Sequence, residues 1–370
     1  MQPLQPSRLA HIKLKRKVGV VDELVFGEVI TPRELAVRKR DGVGYYSPTF
    51  GTLLRALSFA ELPNGKFDVN MNPRPLGFPF AGINYAYPEA GTSERERIAA
   101  EIRNITLGLI YFLQNDDAVP LAHRQLARRY HLAKDEFTDN ANFPFQLYVR
   151  EARRLEGLYT LSENDTVLQS GKQRTPIHKD SIAAGEFPVD SFPVRGRETP
   201  AQPALEGYVF RLDHETRPYQ IPYRVMIPRT VDGLIVPVAA STTHIAFSTI
   251  RVEPTWMALG MAAGVAADLA IEHSTSPRAV DTAALQRALI DKKQVITYFK
   301  DIDHSDPAFA AMQYFGARGF FENYETRSRD RATPEEASRW WRLARQSGEP
   351  PSNITRGNLC RLLYRLENGQ

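Results

Sequence analysis

The stretch YQIPYRVMIPRTVDGLIVPVAASTTHIAFSTIRVEPTWMALGMAAGVAA, residues 219–267, decides how the rest of the chain is interpreted. It predicts a strand, a turn, a short β-branched strand at 234–238 and a small hydroxyl-rich loop at 239–244. Pro254 stands where a helix would begin, a position at which its missing N–H costs nothing. The helix that follows, over 256–271, is apolar on nearly every face, so we predict that it is buried.

This helix carries two glycines, Gly260 and Gly264, and six alanines between residues 256 and 271. Such small side chains let another backbone or a flat ligand approach closely. The first N–H groups of a helix have no intrahelical partner, and they lie at the positive end of the helix dipole. An uncovered helix start at Pro254 therefore predicts a negatively charged partner at that end.

Ser241, His244, 248–251 and 254–267 resemble the flavin-contacting C-terminal segment of bacterial FAD-dependent oxidoreductases, including those often labelled xanthan lyase-like. Further blocks resemble the same family in the same order along the chain, at 62–70, 82–90, 93–116, 145–161 and 178–192. The resemblance runs from residue 62 to residue 303, and this collinearity is more specific than any single motif.

The resemblance implies an α/β fold, related to that of the glutathione-reductase-type flavoproteins, with FAD as the cofactor. It implies that the residues contacting the cofactor are Ser241, Arg251, Pro254, Thr255, Trp256 and Met257. In the first helical turn the backbone N–H groups would face the pyrimidine edge of the flavin, so that role requires no particular side chain.

His244 is the candidate catalytic residue, because imidazole exchanges protons near neutral pH. In a flavoenzyme a base removes one proton while the flavin takes a hydride; His244 could also stabilise the reduced ring. The alternative is a structural histidine that bonds loop carbonyls. Arg251 could pair with an anionic flavin or a substrate carboxylate, or form a buried salt bridge, for example with Glu253.

Candidate substrate residues are Asn84 and Tyr85, in the segment GINYAYPEA, and Arg224 in IPYR. Aromatic rings pack on the apolar faces of sugars and amides bond their hydroxyls, so Asn84 and Tyr85 suggest a saccharide substrate. The alternative is that Tyr85 is an ordinary core aromatic. A small-molecule substrate of another class is equally compatible with these residues.

The phosphate-binding turn of this family, Gly-x-Gly-x-x-Gly between a strand and a helix, does not occur in the sequence. The N-terminal glycines Gly19, Gly27, Gly42 and Gly44 do not form that pattern. We therefore expect this chain to be the C-terminal part of a flavoprotein whose nucleotide-binding half was lost or is supplied by a separate chain.

Composition excludes several classes of function. Charged residues make up 24% and apolar residues 42% of the chain, and the net charge is +4, as in ordinary globular proteins. Because no basic stripe with interleaved aromatics occurs, no nucleic-acid partner is expected. Cys360 is the single cysteine, which excludes an internal disulfide, and no metal-ligand spacing is present. No signal peptide or membrane span is predicted, so the chain as written is expected to be soluble and cytoplasmic, or extracytoplasmic if a signal was lost.

We predict three parts: an irregular segment over 1–60, the flavin- and substrate-contacting region over 61–295, and a small helical module over 296–370. The module resembles an S-layer-homology unit, although Thr333 and Pro334 stand where Thr-Arg is common. The alternative is a helical cap docked on the enzyme. The corresponding alternative for the whole chain is a non-catalytic remnant, or a cell-surface protein that interacts through this module.

Local sequence patterns also predict two helices and a strand. Ser93 and Glu96 form a capping box for a helix over 93–113. Residues 157–165 have the composition of a strand. A helix over 281–292 should turn Leu285 and Leu289 inward.

Overall fold

The computed structural model describes residues 13–18, 21–26, 58–70, 83–117, 119, 121–192, 194, 207, 209 and 216–369. The chain divides into two compact units. The first comprises Met1–Val149 with Phe192–Tyr208, and the second comprises Arg150–Ser191 with Val209–Gln370.

In the first unit the residues that the structure describes form two antiparallel hairpins. Strand β1 (Lys13–Val18) pairs with β2 (Val21–Phe26), and β3 (Ser58–Leu62) pairs with β4 (Lys66–Asn70). Between β3 and β4 the backbone of Asn64 and Gly65 is left-handed, with φ of 67° at both residues. Asparagine and glycine tolerate this conformation best, so the Asn-Gly pair explains the turn.

The first unit also contains the helices α1 (Thr92–Asn115) and α2 (Leu121–Ala127). The predicted capping box at Ser93 is wrong: the N-cap of α1 is Gly91, which leaves Ser93 inside the first turn. Ile98, Leu109 and Leu113 of α1 are buried, and their spacing places them on one face of the helix.

In the second unit, strand β5 (Ser181–Gly185) pairs antiparallel with β6 (Tyr219–Pro222). A side chain at Gly185 would place its Cβ 2.6 Å from the ring of Tyr219, so only glycine admits this pairing. Six helices follow: α3 (His244–Ile250), α4 (Glu253–Glu272), α5 (Thr282–Asp291), α6 (Phe309–Gly316), α7 (Pro334–Leu343) and α8 (Arg356–Glu367). Helices and small sheets together are consistent with an α/β fold.

Two predicted strands are wrong. Residues 234–238 form an irregular segment that leads into a turn instead of a buried strand, and Leu234 and Val238 are about half exposed. Residues 157–165 make isolated bridges, Gly157 to Pro228 and Leu161 to Thr242, and end in a 3₁₀ turn at Glu163–Asp165. Both segments have strand-like composition, but neither aligns with a neighbouring strand over enough residues to form a ladder.

Helix α4 begins with Pro254 in its first turn, as predicted, but it is buried on one face only. Leu259, Ala262 and Ala266 are fully buried, whereas Met257 is 74% and Ile271 is 79% exposed. By length and composition this 20-residue helix could cross a membrane, although the same properties suit the core helix of a soluble protein.

The C-terminal helices belong to the same hydrophobic core as α4 and α5. Trp340 of α7 is fully buried against Phe320 and Phe321, and its indole N–H donates to the carbonyl of Phe320 at 2.9 Å. Leu285 and Leu289 of α5 point into this core, as predicted. The predicted domain bounds at 60 and 295 stay a prediction.

Candidate functional site

His244 is the first residue of α3, at the end of the hydroxyl-rich loop. The loop is held by backbone bonds on both sides of Leu161: Leu161 N–H donates to Ser241 O at 3.0 Å, and Thr243 N–H donates to Leu161 O at 2.8 Å. Thr243 caps the helix, since its hydroxyl accepts the N–H of Ala246 at 3.1 Å. The position of His244 therefore follows from loop pairing and helix capping.

The imidazole of His244 contacts a carboxylate. Its Nδ1 lies 2.8 Å from Glu151, a residue 93 positions earlier in the chain. Glu151 also pairs with Arg154, whose Nε donates to the carbonyl of Thr242 at 3.0 Å. The guanidinium of Arg154 lies over the ring of Phe247, 5.6 Å from its centroid. The imidazole of His244 thus has a charged partner in Glu151.

Arg251 is buried and forms a salt bridge, as in the structural alternative, but its partner is Asp190 at 3.1 Å and not the Glu253 given as the example. Asp190 is held from a second side by the guanidinium of Arg150 at 3.6 Å, and its backbone N–H donates to Ser248 Oγ at 3.0 Å. The anchoring of Asp190 fixes the position of the Arg251 side chain.

Arg150 and Glu151 are neighbours in sequence. Arg150 contacts Asp190, the partner of Arg251, and Glu151 contacts His244. We call the six side chains joined in this way the His244 cluster: Arg150, Glu151, Arg154, Asp190, His244 and Arg251. Three arginines face two carboxylates, which leaves an excess of positive charge before His244 is counted. Such a cluster favours an anionic ligand.

The start of α4 follows Arg251 directly, and Glu253 and Pro254 are exposed there. The N–H groups of Thr255 and Trp256 both donate to Val252 O, at 3.0 and 3.1 Å. These two amides are therefore engaged within the helix, contrary to the expected row of free donors. What the helix start contributes is the positive end of its dipole.

Two buried polar atoms beside the cluster have no hydrogen-bond partner among the described residues: Thr242 Oγ1 and Trp256 Nε1. Trp256 tilts against Phe247, with 6.4 Å between ring centroids. Since buried polar atoms are nearly always hydrogen-bonded, both atoms point to a partner that the described chain does not provide.

The other predicted site residues are distributed as follows. Ser241 is buried, with its hydroxyl 2.9 Å from that of Thr160, and Met257 is exposed on α4. Arg224 pairs with Asp180 in the second unit, outside the His244 cluster. Asn84 and Tyr85 belong to the first unit, where Tyr85 is 53% exposed and so is not a core aromatic.

Asp190, Glu151 and Arg154 are not among the site residues predicted from the sequence. The signal was present in two places, as charged residues in the segment REARR at 150–154 and as a lone acid between apolar residues in FPVDSF at 187–192. The pairings could not be deduced, because 93 residues separate Glu151 from His244 and 61 separate Asp190 from Arg251.

Residues 4–289 match the model of a protein family described as FAD dependent oxidoreductase. Neither the curated proteins nor the solved structures yield a match. The matched residues include the whole His244 cluster and the helices α3 and α4, and the match ends within α5.

Proposed function

This chain belongs to the FAD-dependent oxidoreductase family, and we propose that it oxidises an organic, carbohydrate-derived substrate at the His244 cluster. The family's dependence on FAD identifies the cofactor. The observation that carries the proposal is the contact between His244 and Glu151 at 2.8 Å. His244 begins α3, the helix that precedes α4 in the chain. The finer placement, in the xanthan lyase-like subfamily with a glutathione-reductase-type fold, rests on the sequence resemblance.

The residues around the cluster fit the ring end of a flavin. Thr242 Oγ1 and Trp256 Nε1 offer two buried hydrogen-bonding atoms, and Arg251 supplies positive charge beside them. When bound, FAD supplies an acceptor for a hydride. For the pyrophosphate the sequence offers no glycine-rich turn, so we propose that another chain contributes that part of the site.

The role proposed for His244 is to take a proton from the substrate. If Nδ1–H is donated to Glu151, the lone pair lies on Nε2, which is then the basic nitrogen. Glu151 holds the ring in this orientation and stabilises the imidazolium that forms after proton uptake. Arg154 also pairs with Glu151 and so restrains this carboxylate.

Arg251 is proposed to stabilise negative charge at the site. Because Asp190, which is itself paired with Arg150, holds the guanidinium of Arg251 in place, the charge requires little reorganisation when a ligand binds. The positive end of the α4 dipole acts in the same direction.

The exposed face of α4 supports the proposal of a second chain that supplies the nucleotide-binding half. A Cβ added at Gly260 or Gly264 would meet nothing within 4 Å, and Met257 and Ile271 project from the same helix. The face of α4 that carries Gly260 and Gly264 is therefore not covered by the described part of this chain.

Titration of the purified chain with FAD tests the proposal, with flavin absorbance and thermal unfolding as readouts. We expect a flavin spectrum and a rise in melting temperature, since a ligand that binds only the folded state stabilises it. His244→Gln should retain FAD and lower the reduction potential of the bound flavin, while the exposed His273→Gln should leave the potential unchanged.

A chain that FAD neither colours nor stabilises would favour the second candidate function, a non-catalytic protein that interacts through its C-terminal helices. The packing of Trp340 in the core shared with α4 and α5 supports a docked cap instead of a separate wall-binding module. Adding the protein encoded beside this one to the FAD titration tests the two-chain arrangement.

A further inference from the structure

A cavity of about 480 Å³ lies in the second unit, lined by residues that the proposed flavin site does not use. Its apolar wall is formed by Leu158, Ile177, Ile227 and Val280. The volume lies within the range of small-molecule sites, about 300–1,000 Å³. This wall would accommodate a short aliphatic chain.

The charged side chains that line this cavity are mainly cationic: Lys179, Arg224 and Arg278 against Asp180. Arg224 uses Nε and Nη2 to bind the two oxygens of Asp180, at 2.9 and 3.3 Å, so its Nη1 is directed elsewhere. Arg278 uses Nη2 to bind the carbonyls of Pro228 and Arg229, at 2.7 and 3.3 Å, and its Nε lies 3.9 Å from Asp232, which does not line the cavity. With Asp180 neutralised by Arg224, the remaining charge of the lining is positive.

His178 also lines the cavity and is held by a buried carboxylate. Its Nε2 lies 3.2 Å from Asp165 Oδ1, which also accepts the hydroxyl of Tyr159 at 2.7 Å. The backbone N–H of Ser162 donates to Asp165 Oδ2 at 2.8 Å. Asp165 is thereby fixed as an ionised acceptor, which places the proton of a neutral His178 on Nε2.

The other ring nitrogen of His178, Nδ1, has no hydrogen-bond partner among the residues that the structure describes. In the neutral ring this nitrogen carries the lone pair. A residue that lines the cavity therefore offers an acceptor for a hydroxyl or N–H group.

We propose that this cavity is a binding site for a small hydroxycarboxylate with an aliphatic chain. Lys179, Arg224 Nη1 and Arg278 bind the carboxylate, His178 Nδ1 accepts the hydroxyl, and the apolar wall holds the chain. The site is independent of the flavin-dependent function proposed above, because none of these side chains belongs to the His244 cluster.

Calorimetric titration of the full chain with 2-hydroxyhexanoate, hexanoate and hexan-1-ol tests this assignment. We expect 2-hydroxyhexanoate to bind more tightly than hexanoate, and hexanol to bind at least tenfold more weakly than either, since a charge-assisted hydrogen bond contributes about 1.5–3 kcal/mol. His178→Phe should remove the preference for the hydroxyl and keep hexanoate binding.

Two pairs of variants locate the site. Leu158→Trp narrows the cavity and should abolish binding, whereas Leu168→Trp, at a comparably exposed leucine outside it, should not. Lys179→Gln should weaken binding about tenfold, and the exposed Lys172→Gln should leave it unchanged.

The assignment is overturned if the wild-type chain binds none of the three probes, or if Leu158→Trp binds 2-hydroxyhexanoate as tightly as Leu168→Trp does. A third result with the same consequence is displacement of 2-hydroxyhexanoate by saturating FAD, which would make the cavity part of the flavin site. Acid binding that persists in a chain that fails to bind FAD would support this assignment while contradicting the flavin proposal.

Discussion

The imidazole Nδ1 of His244 lies 2.8 Å from the carboxylate of Glu151, 93 residues away in the chain. The residue before Glu151, Arg150, reaches Asp190, which in turn pairs with Arg251. One dipeptide thus connects the candidate proton-transfer residue with the candidate anion-binding arginine. A change at residues 150 and 151 is therefore expected to affect both.

Glu151→Ala should destabilise the protein by about 1–3 kcal/mol, because it leaves Arg154 and His244 without their carboxylate in a part-buried setting. The matched change Glu156→Ala, at an exposed position, should cost less than about 0.5 kcal/mol. Urea unfolding measures both values. A double-mutant cycle of Glu151→Ala with His244→Ala should give a coupling energy of at least about 0.5 kcal/mol, and strict additivity would contradict the direct contact.

Arg251→Met should cost about 3–5 kcal/mol, because it removes one partner of a buried ion pair and leaves Asp190 with only its longer contact to Arg150. Arg229→Met, at an exposed position, serves as the control and should change stability little. Denaturant midpoints compare the two. Equal effects of the two changes would show that the buried pair does not stabilise the fold.

The lowered pKa of Asp165 leads us to expect that the protein loses stability in acid. Burial raises the pKa of this carboxyl, but hydrogen bonds from His178, the Ser162 backbone and Tyr159 outweigh burial and hold it below the ordinary value of 3.8. A carboxyl whose folded pKa is depressed stabilises the fold above its unfolded pKa, and this contribution disappears as the pH falls through the folded pKa.

We therefore expect the urea midpoint of the wild type to decrease as the pH is lowered below about 4. Asp165→Asn should be less stable at neutral pH, and its urea midpoint should change less with pH in the acid range. Asp268→Asn, at an exposed position of α4, is the control and should follow the wild type. An Asp165→Asn curve parallel to that of the wild type would exclude this carboxyl as a source of the acid dependence.

Two glycines that lie in helices should respond oppositely to alanine. At Gly316 of α6 a Cβ would lie 2.5 Å from Thr297 Cγ2 and 2.8 Å from Phe299 Cζ, so Gly316→Ala should cost about 1–3 kcal/mol. At Gly264 of α4 the space is open, so Gly264→Ala should raise stability by about 0.5–1 kcal/mol. Thermal unfolding distinguishes the two, and destabilisation by Gly264→Ala would mean that the open face of α4 is covered in solution.

The rate at which a thiol reagent labels Cys360 should report on unfolding. It is the single cysteine of the chain, it is fully buried in α8, and burial raises the pKa of its thiol. Because the thiolate is the reactive form, a thiol reagent at about pH 8 should label the native protein far more slowly than the urea-unfolded protein. Labelling of the native chain at the unfolded rate would contradict the packing of α8.

The sequence alone determined the family and the helices with strong periodicity or a proline at their start. Helix α4 begins beside Pro254, and α5 turns Leu285 and Leu289 inward, because both features depend on residues within a few positions of each other. The Asn64–Gly65 turn is local in the same sense.

Only the tertiary structure decided the features that depend on distant partners. Residues 157–165 and 234–238 have strand-like side chains, but a strand requires a neighbour with which to form a ladder, and neither segment has one over its length.

The site shows the same division. The types of its residues, a histidine in a polar loop and an arginine before a proline-led helix, were visible in the sequence. Their partners were not, because an ion pair depends on distance in space, and the carboxylates of Glu151 and Asp190 reach His244 and Arg251 only after the loops fold together.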